Sequence, residues 1–121
     1  MLLDTSGLLC YFDVTDARHS DAVIYFNSAR ERLTHSYVLA EFVPLCQTRG
    51  LPRAASLRFA VDLLNNPHVE IVWVGEETHQ AALSLLQARL DKTYSLCDAA
   101  SFLLMRHYGV TDALTTDRHF E

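Results

Sequence analysis

The chain's 121 residues suffice for one domain that buries roughly two-thirds of the surface its unfolded form exposes, without disulfide or metal staples. Half of the residues are hydrophobic and 21% are charged; that composition excludes a disordered or fibrous chain, and no apolar run approaches the roughly 20 residues that span a bilayer. The formal net charge of −5 gives no electrostatic argument for nucleic-acid binding, although Lys92 is the single lysine among 10 basic residues and arginine suits bidentate phosphate contacts.

Met1-Leu2-Leu3 is a short apolar run that reads as a strand from the first residue. It lacks the basic region and long apolar core of a signal peptide. Thr5 or Ser6 can cap a helix over Gly7 to Phe12. Asp13 to Asp16 is a polar break. From His19 to Arg32, Ala22, Val23, Tyr25, Phe26 and Ala29 fall at helical spacing. Leu33 to Ser36 reads as a second, short strand. Tyr37 to Arg49 reads as a helix with Leu39, Phe42, Val43 and Cys46 inward; Pro44 should kink or interrupt it. Gly50 suits a helix C-terminus, and Pro52 the start of a helix running to about Leu64, with Ala55, Leu57, Phe59, Ala60, Leu63 and Leu64 as core candidates.

Asn65-Asn66-Pro67 marks a turn. Val69 to Val74 is the clearest strand signal. Glu76 to Leu90 follows as a helix with Ala81, Ala82, Leu85, Leu86 and Leu90 inside. Ser95 caps a further helix through Cys97, Ala100 and Leu104 to Tyr108, which Gly109 ends. Val110 to Leu114 is the last strand. The order β-α-α-β-α-α-β-α-α-β predicts an α/β fold, a mostly parallel central sheet between helical layers. Cys10, Cys46 and Cys97, odd in number and without CxxC spacing, suit reduced thiols packed in a cytoplasmic protein. The six histidines show no paired zinc-ligand spacing.

Four acids fall where separate segments leave a strand or enter a helix. Asp4 follows the first strand and Asp117 the last. Glu41 and Asp98 lie about one turn into helices. In an open parallel sheet such positions converge on one edge. Each acid also has an ordinary structural role open to it: a cap, a dipole partner, a solvated helix residue or a turn residue. Together they would repel at close range unless something positive sat among them. Carboxylates suit magnesium or manganese, and a metal pair about 4 Å apart serves phosphodiester hydrolysis without a side-chain nucleophile. Thr5, Ser6, Thr115 and Thr116 are nearby hydroxyls for orienting ligands, or for capping and turns. Asp91 suits a loop-ending or salt-bridging role. Arg118 and His119 flank Asp117 within reach of a phosphate, or lie on the surface.

These residues resemble a known family. Met1-Leu2-Leu3-Asp4-Thr5-Ser6 resembles the opening strand and DTS-type signature of PIN domains, and Tyr37-Val38-Leu39-Ala40-Glu41 their helix bearing the second acid. The segment Asp91 to Phe102 is similar to that around the third acid, and Leu114 to Phe120 to the closing TxDxxF motif. The resemblance covers essentially the whole chain, residues 1–121 as a single PIN-like domain, and is greatest to VapC-type toxins of prokaryotic toxin–antitoxin pairs. It implies a three-layer α/β/α fold and a Mg²⁺- or Mn²⁺-dependent endoribonuclease. Asp4, Glu41, Asp98 and Asp117 would be metal ligands, and Ser6 and Thr116 would assist. It further implies RNA as substrate, products with 5′-phosphate and 3′-hydroxyl ends, a homodimer, and a cognate antitoxin as partner. The family commonly continues past the closing motif into a short terminal strand. This chain stops at Glu121, which would leave one sheet edge less protected.

Two other readings remain at this level. One is a catalytically silent PIN-like module that binds RNA or protein, which would have no need of a repulsive acidic quartet. The other is a phosphatase-like or sugar-nucleotide enzyme, for which the DxDxT, P-loop and GxGxxG motifs are missing.

Overall fold

The structure, a computed structural model, describes residues 1–120. Its elements follow the predicted order: β1 (Leu2–Leu3), α1 (Thr5–Phe12), α2 (His19–Ser28), β2 (Leu33–His35), α3 (Ser36–Thr48), α4 (Arg53–Leu64), β3 (Glu70–Val72), α5 (Glu76–Ala88), α6 (Leu96–Tyr108) and β4 (Ala113–Leu114), then a 3₁₀ turn at Arg118–Phe120. The four strands form one parallel sheet in the order β3-β2-β1-β4, flanked by the six helices as a three-layer α/β/α fold. The register sets Leu2 opposite both Leu33 and Ala113, and His35 opposite Val72.

That strand order positions the site. The chain steps outward from β1 to β2 to β3, then returns to place β4 on the other side of β1. Direction reverses between β1 and β4, and ligands bind parallel sheets in the crevice beyond the carboxyl ends at such a point. Asp4 leaves β1 there, and Thr115 to Asp117 leave β4.

The core begins with strands buried on both faces. Leu2, Leu3, Leu8, Leu9, Val38 and Phe42 are all fully enclosed; burying a side chain of this size contributes about 1.5–3 kcal/mol. Phe12, Phe42 and Phe59 meet at centroid separations of 5.6, 5.1 and 5.1 Å, which ties α1, α3 and α4 together. Gly7 brings α1 hard against β4: a Cβ there would lie 1.9 Å from the Leu114 carbonyl oxygen. The three cysteines are free and buried.

Several local expectations are corrected. Asp4, not Thr5 or Ser6, occupies the N-cap of α1, with extended backbone and no side-chain cap bond. Helix α3 runs through Pro44 without interruption. The proline removes the N–H that would reach the Ala40 carbonyl, while Val38, Phe42 and Cys46 bury the helix on its other side. Strands β3 and β4 are shorter than their apolar runs, because ladder pairing ends before the hydrophobic residues do. Leu57, Leu64, Ala81 and Leu90, expected inside, are exposed. Asp91 pairs with Arg89 through two bonds of 3.1 Å, the salt-bridging role open to it. The question raised by the chain's stop at Glu121 lies outside the described residues. No helix among them is long and apolar enough to cross a membrane.

Candidate active site

A cleft of about 730 Å³ opens at the carboxyl edge of β1 and β4. Asp4, Glu41, Asp98 and Asp117 all line it, with Ser6, Thr116 and His119. Asp4 and Asp98 form a buried floor, Asp117 is half-buried, and Glu41 stands exposed on the α3 wall. None of the described lining residues is lysine or arginine.

Each carboxylate is held by a different local device. The Thr115 hydroxyl donates to Asp4 Oδ2 at 2.7 Å, and the Ser6 hydroxyl donates to the same oxygen at 3.2 Å. Thr5 Oγ1 donates to Glu41 Oε1 at 3.2 Å, which ties α1 to α3. Asp98 is the third residue of a capping box. Its N–H donates to Ser95 Oγ, and its Oδ2 accepts from the Ser95 N–H, both at 3.0 Å. Such reciprocal bonding satisfies two helix-end donors at once. Asp117 Oδ1 accepts the His119 N–H at 2.9 Å, and the Asp117 N–H donates to Thr115 Oγ1 at 2.9 Å. In Glu41, Asp98 and Asp117 the other oxygen accepts no hydrogen bond among the described residues and is available to a ligand.

Burial pushes the Asp4 carboxyl above its usual range, with a further rise from the Asp98 charge. Donors from Thr115, Thr5 and Ser6 pull in the opposite direction. Cys97, beneath the cleft, has its thiol pushed far up by burial and then by Glu41, Asp4 and Asp98. It is an inert neutral group there, since only a thiolate would react or ligate.

Of the hydroxyls singled out in the sequence, Ser6 and Thr115 act on Asp4, and Thr5 on Glu41. Ser6 Oγ also accepts the Thr116 N–H at 2.9 Å, whereas Thr116 Oγ1 has no hydrogen-bond partner among the described residues. Arg118 is exposed. His119 is more deeply involved than its neighbours suggested: its Nδ1 lies 3.2 Å from Asp98 Oδ2 and 3.3 Å from Asp117 Oδ1. The signal for it was the histidine's place between Asp117 and Phe120, whose ring anchors the turn against Phe102 at 4.9 Å.

Comparison with known proteins decides the family. The PIN domain profile matches residues 1–121. The chain belongs to the PIN-domain family. Among relatives of this PIN domain is Ribonuclease VapC26 of Mycobacterium tuberculosis (strain ATCC 25618 / H37Rv), 32% identical over 123 residues, covering 99% of this chain and 89% of that protein. Another is the 23S rRNA-specific endonuclease VapC20 of the same organism and strain, 31% identical over 121 residues, covering 99% of this chain and 91% of the other. The crystal structure of Mycobacterium tuberculosis VapC20, a sarcin-ricin loop cleaving toxin, superposes with a TM-score of 0.89 at 28% identity, over 98% of this chain and 91% of that one. This PIN domain is thus of the VapC type in both sequence and fold.

Proposed function

We propose that residues 1–121 form a single-domain VapC-type endoribonuclease, the toxin of a toxin–antitoxin pair. Asp4, Glu41, Asp98 and Asp117 hold Mg²⁺ or Mn²⁺ in the cleft. The observation that carries this is that four carboxylates, from segments up to 113 positions apart in the sequence, line one cleft with no lysine or arginine among its described lining residues. The donor set fits a hard divalent cation: oxygen ligands, a buried Asp4 whose charge is destabilised by burial, and carboxylate oxygens without a hydrogen-bond partner among the described residues. VapC26 and VapC20 are ribonucleases by name, which supports the same activity here.

A bound divalent ion would supply Lewis-acid stabilisation of charge at a scissile phosphate. The chain's own residues prepare the place. Ser6 and Thr115 orient Asp4, Thr5 orients Glu41, and the Ser95 cap orients Asp98. The Thr116 hydroxyl at the rim, without a hydrogen-bond partner among the described residues, is available to an RNA phosphate or ribose. The open cleft admits a single strand or loop, whose splayed backbone can reach a floor that a stiff duplex cannot. The reading includes RNA as substrate, a homodimer, and a cognate antitoxin that covers the acidic cleft.

The test is cleavage of RNA with end mapping. The expected result is 5′-phosphate and 3′-hydroxyl ends, abolished by chelator and restored by Mg²⁺ or Mn²⁺. Asp98→Asn should lose roughly 100-fold or more in rate while keeping the folded circular dichroism spectrum. RNA binding without cleavage under any divalent ion would instead identify a silent binding module.

A further inference from the structure

The cleft contains a group outside the proposed carboxylate quartet. His119 Nδ1 sits 3.2 Å from Asp98 Oδ2 and 3.3 Å from Asp117 Oδ1, and one ligand atom from each of the three residues falls within 4.8 Å of the others. Neighbouring ligands of an octahedral ion, bonded at about 2.0–2.3 Å, are separated by about 3 Å. The two contacts have that spacing. Asp98 Oδ2 and Asp117 Oδ1 each already accept a backbone N–H, yet a carboxylate oxygen retains a second acceptor site.

The rest of the imidazole is also built in. Nε2 lies 3.2 Å from Thr93 Oγ1, and Tyr94 packs edge-on at a centroid distance of 5.0 Å. A metal-bound histidine ordinarily donates its second N–H to an oxygen, which fixes tautomer and ring orientation. In the tautomer that gives Nε2–H to Thr93, Nδ1 presents a lone pair toward two carboxylate oxygens. Three electron-rich atoms facing one point repel unless a cation lies among them.

We propose that His119 is a metal ligand through Nδ1, beside Asp98 and Asp117, and that its nitrogen biases the cleft toward Mn²⁺ over Mg²⁺. This rests on the quartet being a cation site. The chemistry is one of ligand type: Mg²⁺ holds to oxygen and keeps its waters, whereas imidazole binds first-row transition ions readily.

The experiment is metal binding to the full chain without RNA. Mn²⁺ is titrated by electron paramagnetic resonance, ¹⁴N modulation of the bound ion is recorded by electron spin echo, and Mg²⁺ is titrated in competition. The expected result is ¹⁴N coupling from an imidazole, lost in both His119→Ala and His119→Gln. The same variants weaken Mn²⁺ about 10-fold or more and Mg²⁺ less than about 3-fold. His119→Gln keeps a polar group on the turn should the alanine variant fail to fold. Mn²⁺ bound without ¹⁴N coupling, or with coupling that survives both substitutions, overturns the His119 assignment and leaves the quartet standing; a proton then links the histidine to its carboxylates. Loss of coupling with both ions weakened equally overturns the selectivity. Absence of Mn²⁺ binding, the same in the wild type and in Asp4→Asn, overturns both the ligand role and the metal-site reading.

Discussion

Lowering the pH from 7.5 to 4.5 should cost this protein about 2.5 kcal/mol of folding stability through His35 alone. His35 ends β2 with no exposed surface. Its Nε2 meets Ser101 Oγ at 2.7 Å, while its Nδ1 is buried without a partner among the described residues. Burial lowers its pKa from 6.5 to about 4, because a charged imidazole would lose its hydration there. Above pH 6.5 neither the native nor the unfolded chain is protonated at this residue, and the penalty is absent. Between 6.5 and about 4 the unfolded chain takes a proton that the native chain refuses, so stability falls as pH falls, then levels off below about 4. At about 1.4 kcal/mol per unit the full loss is about 3.4 kcal/mol, of which about 2.5 has accrued by pH 4.5.

Asp4 works in the opposite direction. Its raised pKa makes the native state the better proton acceptor at low pH. Comparing the wild type with His35→Gln removes that contribution, because Asp4 is common to both, and the glutamine can still bond Ser101. The assay is urea unfolding followed by circular dichroism at half-unit pH steps. The wild type should lose about 2.5 kcal/mol more than the variant between pH 7.5 and 4.5, about 8–12 °C in Tm. Parallel stability curves for the two proteins would refute a neutral, buried His35.

Gly7→Ala should lower stability by about 1–3 kcal/mol in the same urea assay, and should reduce RNA cleavage, because the added methyl drives against the Leu114 carbonyl just before Thr115. Thr115→Val removes the hydroxyl that donates to Asp4 and accepts from the Asp117 N–H. It should cost about 1–2 kcal/mol and cut the cleavage rate about 10-fold or more, whereas Thr116→Val should stay within about 0.5 kcal/mol of wild type, so that any loss of rate it shows reports a contact with RNA. Ser95→Ala breaks the reciprocal cap of α6 and should cost about 1 kcal/mol by thermal denaturation; an unchanged Tm would remove the cap from the account of Asp98's placement.

The order of elements was legible because helices repeat near every 3.6 residues and buried strands are short apolar runs, and Leu2-Leu3, Phe42, Leu63 and Leu104 report those patterns directly. The convergence of Asp4 and Asp117 was legible too, since both follow strands of one parallel sheet. Glu41 was harder, being an exposed helix residue like many others, and it stood out by lying about one turn into the helix after the second strand, a place the PIN-type segment around it then reinforced. Pro44 misled as an interruption, because local propensity omits the packing that carries α3 through it. His119 was read only as a flanking residue within reach of a phosphate, because its contacts arise from Asp98, 21 residues earlier, and from the Phe102–Phe120 contact. Neither leaves a periodic trace.

Strand β1 lies inside the sheet although it is made first, and its neighbour β4 joins from more than a hundred residues away. Closing so long a loop is entropically slow. The flank of β1 that β4 covers stays bare until Ala113 and Leu114 join it. Because Asp117 follows β4 directly, the four acids that line the cleft come together only when that strand docks.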